Sequence, residues 1–325
     1  MIRQKIATWL GVVLMAWLFA GAVGAEETAE TGSPGSASQP ERLSLSLGLN
    51  PEALAERYPD QALWLDTPEH GRAVVLFERE HRGDARGALL ILADEGQTAG
   101  TQLAGALREP LARKGWAAMS MGLPPMPMAL RQGLEAKRER SDQGASGPSP
   151  GDESTADSER GEADREDGGE ASVMIDVMAG EDLADLSDIY TQGIQAHLAA
   201  ALRELRRQGY ERLVLAGIGR GAEHVTRQAM AGGEGQLSLV WIAPVFQFDG
   251  EGTLAAELQT AGSIDLLDLV SSRQDIRYAR ERAALMQRQQ ISSYSQQRLA
   301  MPGVPVSRNA GQVVNRMLAW LGRQG

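Results

Sequence analysis

No cysteine occurs anywhere in this chain of 325 residues. Disulfides, thiolate-bound metals and a cysteine nucleophile are thereby excluded, as is a lipid anchor attached to a cysteine. Histidine is scarce: His70, His81, His197 and His224 are the only four. None forms an HExxH or His-x-x-x-His pair, so a zinc hydrolase has no ligand set. Positive charge is in deficit, with 32 Lys and Arg against 43 Asp and Glu and a formal net charge of −11. An acidic chain repels phosphate backbones, so nucleic acid is not an expected partner. The charge itself reads most simply as solubility.

Residues 1–25 have the layout of a secretory signal. Arg3 and Lys5 make a positive start, Ile6 to Ala20 is apolar, and Val23-Gly24-Ala25 offers a small-residue cleavage site before Glu26-Glu27. A retained membrane anchor is the alternative, but the apolar run is short for a span of about 20 residues. Export to a bacterial periplasm is the expectation, with no stable membrane span after signal removal. A large core can do without disulfides there. Residues 26–43, rich in Ser, Gly, Thr and Glu, read as a disordered leader.

Strand and helix patterns then alternate. Ala62 to Leu65 and Ala73 to Glu80 flank Pro68-Glu69-His70-Gly71, which predicts a β-hairpin. The continuous apolar runs Gly87 to Ala93, Trp116 to Met121, Leu213 to Gly217 and Leu237 to Ala243 predict strands buried on both faces. Ile264 to Val270 and Tyr294 to Leu299 are weaker strand candidates. Leu103, Leu107 and Leu111 mark one helix, stopped by Lys114-Gly115. A second runs from Leu183 through Ile194 to Leu205, and others cover Ala222 to Met230, Asp275 to Gln290 and Gly311 to Leu321. Such alternation predicts an α/β fold with a mostly parallel central sheet flanked by helices and the hairpin at one edge.

Residues 131–172 interrupt the rhythm. From Ser141 to Ser172 there are ten Asp or Glu against two Arg, and no apolar side chain larger than Ala apart from Pro. That composition buries too little surface to offset its conformational entropy, so a disordered acidic insertion is expected. No EF-hand ligand pattern occurs within it. The domain is accordingly read as 44–130 plus 173–325.

In such sheets clefts open at the carboxyl ends of the strands. One of those ends carries the pentad Gly217-Ile218-Gly219-Arg220-Gly221 between strand and helix. It has the glycine spacing of a nucleophile elbow, G-x-S-x-G, with glycine in place of serine. Another end carries Asp94-Glu95-Gly96. The candidate cleft residues are therefore Asp94, Glu95, Gly96, Gly217, Gly219, Arg220, Gly221 and His224, with no residue assigned as catalytic and no metal or other cofactor expected. Glycine, arginine and Ala222 also mimic the dinucleotide pattern G-x-G-x-x-G/A. That fingerprint expects an acid at the end of the next strand, where Ala243-Pro244 stands instead. Met119, Met121, Met126 and Met128 could hold copper through their thioethers, but read more simply as core and rim methionines.

With Leu89 to Gln97, Gly115-Trp116 and Gly217 to Ala222 in this order, the chain resembles α/β-hydrolase-fold proteins. More narrowly it resembles a domain-of-unknown-function family of exported Gram-negative bacterial proteins, over roughly residues 43–323. The resemblance implies fold and export, and no established reaction. In α/β-hydrolases serine is followed by an acid and then by a histidine after the last strand. Here Gly219 stands at the serine position, and Ala300 to Asn309 contains no histidine. The acid position offers Ser271, Ser272 and Arg273 before Asp275, which reads as a helix cap. Arg220 falls where the fold supplies one oxyanion-hole N–H, and its cation could attract an anion at the helix N-terminus. Asp94-Glu95 falls where the second donor would be, and carboxylates there oppose a developing oxyanion. A salt bridge from either to Arg220 would plug the pocket. The expected function is a non-catalytic ligand- or partner-binding protein in the periplasm. The alternatives are a hydrolase with relocated groups, such as Ser120 or Ser272 with His224, and a structural envelope component.

Overall fold

The computed structural model describes residues 50–144, 169–231, 237–246, 255–259, 264–274 and 276–323. The segments read from sequence as signal and leader, Asp275 and the centre of the acidic stretch lie outside the described residues. Helix α1, Pro51–Arg57, opens at Asn50, whose side chain accepts the Ala53 N–H, and Pro51 follows at a position where its missing donor costs nothing. Strands β1 (Ala62–Thr67) and β2 (Gly71–Glu78) form the expected antiparallel hairpin.

Next come β3 (Ala88–Glu95), α2 (Gln102–Arg113), β4 (Ala117–Leu123), α3 (Met128–Gly144) and α4 (Gly169–Arg207). They are followed by β5 (Leu213–Ile218), α5 (Gly221–Met230), β6 (Leu237–Ile242) and β7 (Asp265–Ser271). Helix α6 (Ile276–Arg288), β8 (Tyr294–Leu299) and α7 (Ala310–Leu321) complete the described chain.

The strands form one sheet in the order β1-β2-β4-β3-β5-β6-β7-β8. Strand β2 runs antiparallel to β1 and β4, and every other pairing is parallel. The first six residues of β3 and all of β5 are buried, as their continuous apolar runs require in a sheet covered on both faces. One face packs Tyr190, Leu198 and Leu205 of α4, Val225 of α5 and Met286 of α6. The other packs Leu107 and Leu111 of α2 with Val313, Met317 and Trp320 of α7. This mixed sheet, with helices on both faces and the hairpin at one edge, is the α/β-hydrolase arrangement that the sequence resembles.

One expectation is corrected. The stretch 131–172, read as disordered, is helical at both ends: 131–144 belong to α3, and α4 begins at Gly169. Glu135-Ala-Lys-Arg-Glu-Arg140 is made of strong helix formers with opposite charges at helical spacing, and α3 is seated on α4, Gly133 lying against Leu183. Residues 145–168 lie outside the described residues.

Candidate functional site

The end of β3 and the turn from β5 to α5 meet because the two strands are neighbours in the sheet. At Gly219 the chain takes φ +55°, a left-handed conformation that glycine adopts without a Cβ clash. The flanking glycines answer close approaches. A Cβ at Gly217 would lie 2.5 Å from Ala222 N, and one at Gly221 would lie 2.6 Å from Ala93 O. The bent backbone is held by Gly219 N donating to Ile242 O at 3.0 Å and Val245 N donating to Gly219 O at 2.9 Å.

Above Gly219 stands a side chain from another strand. A Cβ at 219 would overlap the carboxylate of Asp94. Oδ1 of that carboxylate accepts the backbone N–H of Arg220 at 2.9 Å and that of Glu95 at 2.9 Å. One amide belongs to the residue after the elbow centre and the other to the last residue of β3, next to the loop from which an α/β-hydrolase draws its second oxyanion donor. The expectation that a carboxylate at this point merely opposes an oxyanion is thus sharpened. Asp94 is itself the anion that the two amides hold.

Glu95 turns the other way. Its Oε1 accepts from Arg131 Nη2 at 2.5 Å and from Met126 N at 3.1 Å, and its Oε2 pairs with Arg220 Nη1 at 3.0 Å. The salt bridge considered from sequence therefore runs from Glu95, not Asp94, and a second guanidinium shares it. Gly96, at φ +75°, turns the chain away and donates its N–H to Leu123 O.

His224 lies below, buried on α5, its ring edge-on to Tyr190 with centroids 5.8 Å apart. Burial, aided by the Arg227 cation, pushes its imidazole down to about 3, so it is neutral across the physiological range. Tyr190 donates its hydroxyl to Pro124 O at 2.8 Å. Burial raises its phenol above the usual range, Glu95 adds to the shift, and Arg220 and Arg131 oppose it.

The remaining sequence candidates are placed elsewhere. Ser120 faces α2, where its Oγ donates to Ala99 O and accepts from the buried Arg108, each at 2.8 Å. Helix α5, which carries His224, covers the opposite face. Ser272 is engaged by its backbone, its N–H going to Leu299 O and its carbonyl accepting from Arg298. At the acid position Ser271 Oγ donates to Met301 O at 2.6 Å, tying the end of β7 to the loop where a hydrolase histidine would stand. Met119, Met121 and Met126 are buried in the core, whereas Met128 is exposed at the start of α3.

Two contributors escaped the sequence reading. Arg131 sat in a stretch read as disordered, and Tyr190 looked like any apolar position of a helix face. Nothing local distinguishes either, because their partners are contributed by β3 and by the loop after β4.

Comparisons with known proteins complete this description. The profile of a family described as "Protein of unknown function (DUF3530)" matches residues 9–323. No curated protein sequence matches the chain. Among solved structures, the chain is similar to the esterase domain of a Rhodothermus marinus protein, at 12% identity and TM-score 0.48, covering 81% of this chain and 98% of that one. A Xanthomonas campestris protein described as an α/β serine hydrolase without lid aligns at 15% identity and TM-score 0.47, covering 81% and 94%. An α/β serine hydrolase homologue from Coxiella burnetii aligns at 13% identity and TM-score 0.46, covering 82% and 98%.

Proposed function

The chain belongs to the DUF3530 family of proteins of unknown function, and on that premise we propose that it is an exported, non-catalytic α/β-hydrolase-like protein that binds a ligand or a protein partner. One observation carries this reading. The Asp94 carboxylate occupies the space above Gly219 and takes up both amides that would stabilise an oxyanion. Acyl transfer at this elbow needs a hydroxyl at its centre, an imidazole within hydrogen-bond reach, and a free amide pair. Gly219 supplies no hydroxyl. Histidine does not occur after residue 224. The amides are engaged by an internal anion. Export is supported by the positive start, apolar run and small-residue cleavage site within residues 1–25.

The test is direct. Purified full-chain protein is incubated with a fluorophosphonate probe and a panel of short- and long-chain esters and thioesters. Neither covalent labelling nor turnover above a denatured control is expected. Stoichiometric labelling of any serine would remove the non-catalytic reading and favour the relocated hydrolase. Export is checked separately by fractionating cells of a Gram-negative host, with a processed form in the periplasm as the expected result.

A further inference from the structure

The turn between β1 and β2 is fastened to α4 by a buried histidine that the site above leaves unused. His197, buried on α4, places Nε2 3.0 Å from Thr67 Oγ1. Thr67 spends its own hydroxyl hydrogen on Gly71 O at 2.6 Å. Its oxygen can therefore only accept from His197, which assigns the ring hydrogen to Nε2. One helical turn earlier, Gly193 passes near the His70 ring, where a Cβ would stand in ordinary contact at 3.8 Å from Nδ1. Thr67, Gly71 and His70 thus all bear on the same turn of α4.

This contact tolerates a neutral His197 and penalises a charged one. Nδ1 of His197 is buried and makes no hydrogen bond among the described residues. The carbonyls of Gly71 and Gly193 lie close to the ring, and among the described residues the ionisable group acting on it is His70, with the same sign of charge. The charged residues of the hairpin end, Asp66 and Arg72, pair with each other at 2.9 Å on the exposed side. Among the described residues no carboxylate, Glu69 of the turn included, is among the groups acting on the imidazole.

We propose that this contact is a pH-gated latch on the edge of the sheet, docked while the His197 imidazole is neutral and released when it takes up a proton. Burial holds His197 below its ordinary value, His70 adds to the shift, and the two backbone carbonyls oppose it. The undocked turn binds the proton more readily than the docked one. Docking is therefore at full strength above the ordinary histidine value of about 6.5 and weakens as the pH falls below it. One proton taken up per opening weakens the latch by up to about tenfold per pH unit.

Hydrogen exchange on the full chain tests the latch. Protection of residues 62–78 is compared with that of β5 at pH 7.5 and pH 5.0, after correction for intrinsic exchange. The hairpin is expected to lose protection relative to β5 at the lower pH, by up to about tenfold for each pH unit below 6.5, and to regain it on return. His197→Gln keeps an N–H toward Thr67 but cannot titrate, so its hairpin protection should not depend on pH. An unchanged ratio of hairpin to β5 protection in the natural chain would overturn the proposal, as would the same acid loss in His197→Gln. Should that variant not fold, the His197 ring signal in the natural chain is titrated by NMR. Its midpoint must coincide with the loss of hairpin protection, and titration without opening refutes the latch.

Discussion

Asp94 and Gly219 form a matched pair: the carboxylate fits because glycine has no Cβ, and glycine is tolerated because the carboxylate fills the space. A serine at 219 would meet a left-handed backbone and an occupied volume together. Gly219→Ser alone is expected to destabilise by about 2–4 kcal/mol and to confer no esterase activity. In an Asp94→Gly background the same change should cost about 1–3 kcal/mol less, because the overlap is gone. Denaturant unfolding of the four proteins in this cycle measures the coupling, and strictly additive costs would refute the pairing. Sequence reading identified Gly219 as a missing hydroxyl through glycine spacing alone. It could not see Asp94 overhead, since the two lie on separate strands and no local pattern links their side chains.

Among the elements, β7 shows how a strand is joined to its surroundings by more than its ladder. Asp268, fully buried in its middle, accepts from Arg282 Nε at 2.8 Å, Tyr294 OH at 2.7 Å and Gln296 Nε2 at 3.0 Å. One carboxylate oxygen thereby links β7 to α6 and β8. Asp268→Ala is expected to cost about 3–5 kcal/mol, because a buried guanidinium loses its counter-charge. The double change Asp268→Leu with Arg282→Met should cost less than Asp268→Ala alone, an outcome read by thermal and denaturant unfolding. Equal or larger loss in the double variant would show that packing, not charge, dominates there. The weaker apolar pattern of Ile264 to Val270 has its explanation in this aspartate, which breaks the run without leaving the core. Helix α1 was not anticipated because seven residues are too few to display periodicity, and its start rests on the Asn50 cap. Helix α3 was read as disordered because composition was weighed without the neighbouring helix that covers it.

Across the whole molecule, two buried imidazoles make the folded state sensitive to acid. His224 is held near 3 by burial in the native chain, against about 6.5 when unfolded. For a base whose folded value is depressed, the stabilising effect is complete above the unfolded value and is lost as the pH falls toward the folded one. Global stability should therefore decline between pH 6.5 and about 3, by at most about 1.4 kcal/mol per pH unit for this group. His224→Phe should flatten that part of the curve, which urea unfolding at a series of pH values will measure. An unchanged slope would place the acid sensitivity elsewhere.

The order of strands and helices, the edge hairpin and the glycine turn were readable along the chain, because periodicity and continuous apolar runs are local consequences of which faces must be buried. So was the lack of a serine at 219 and of a histidine beyond 224. What folding alone decided is what stands in the vacated place. Parallel pairing of β3 with β5 carries Asp94 across 126 positions of sequence to the amide of Arg220. Helix α3 then brings Arg131 to Glu95. Contacts of that range depend on which strands become neighbours and in what register, and those are properties of the assembled sheet.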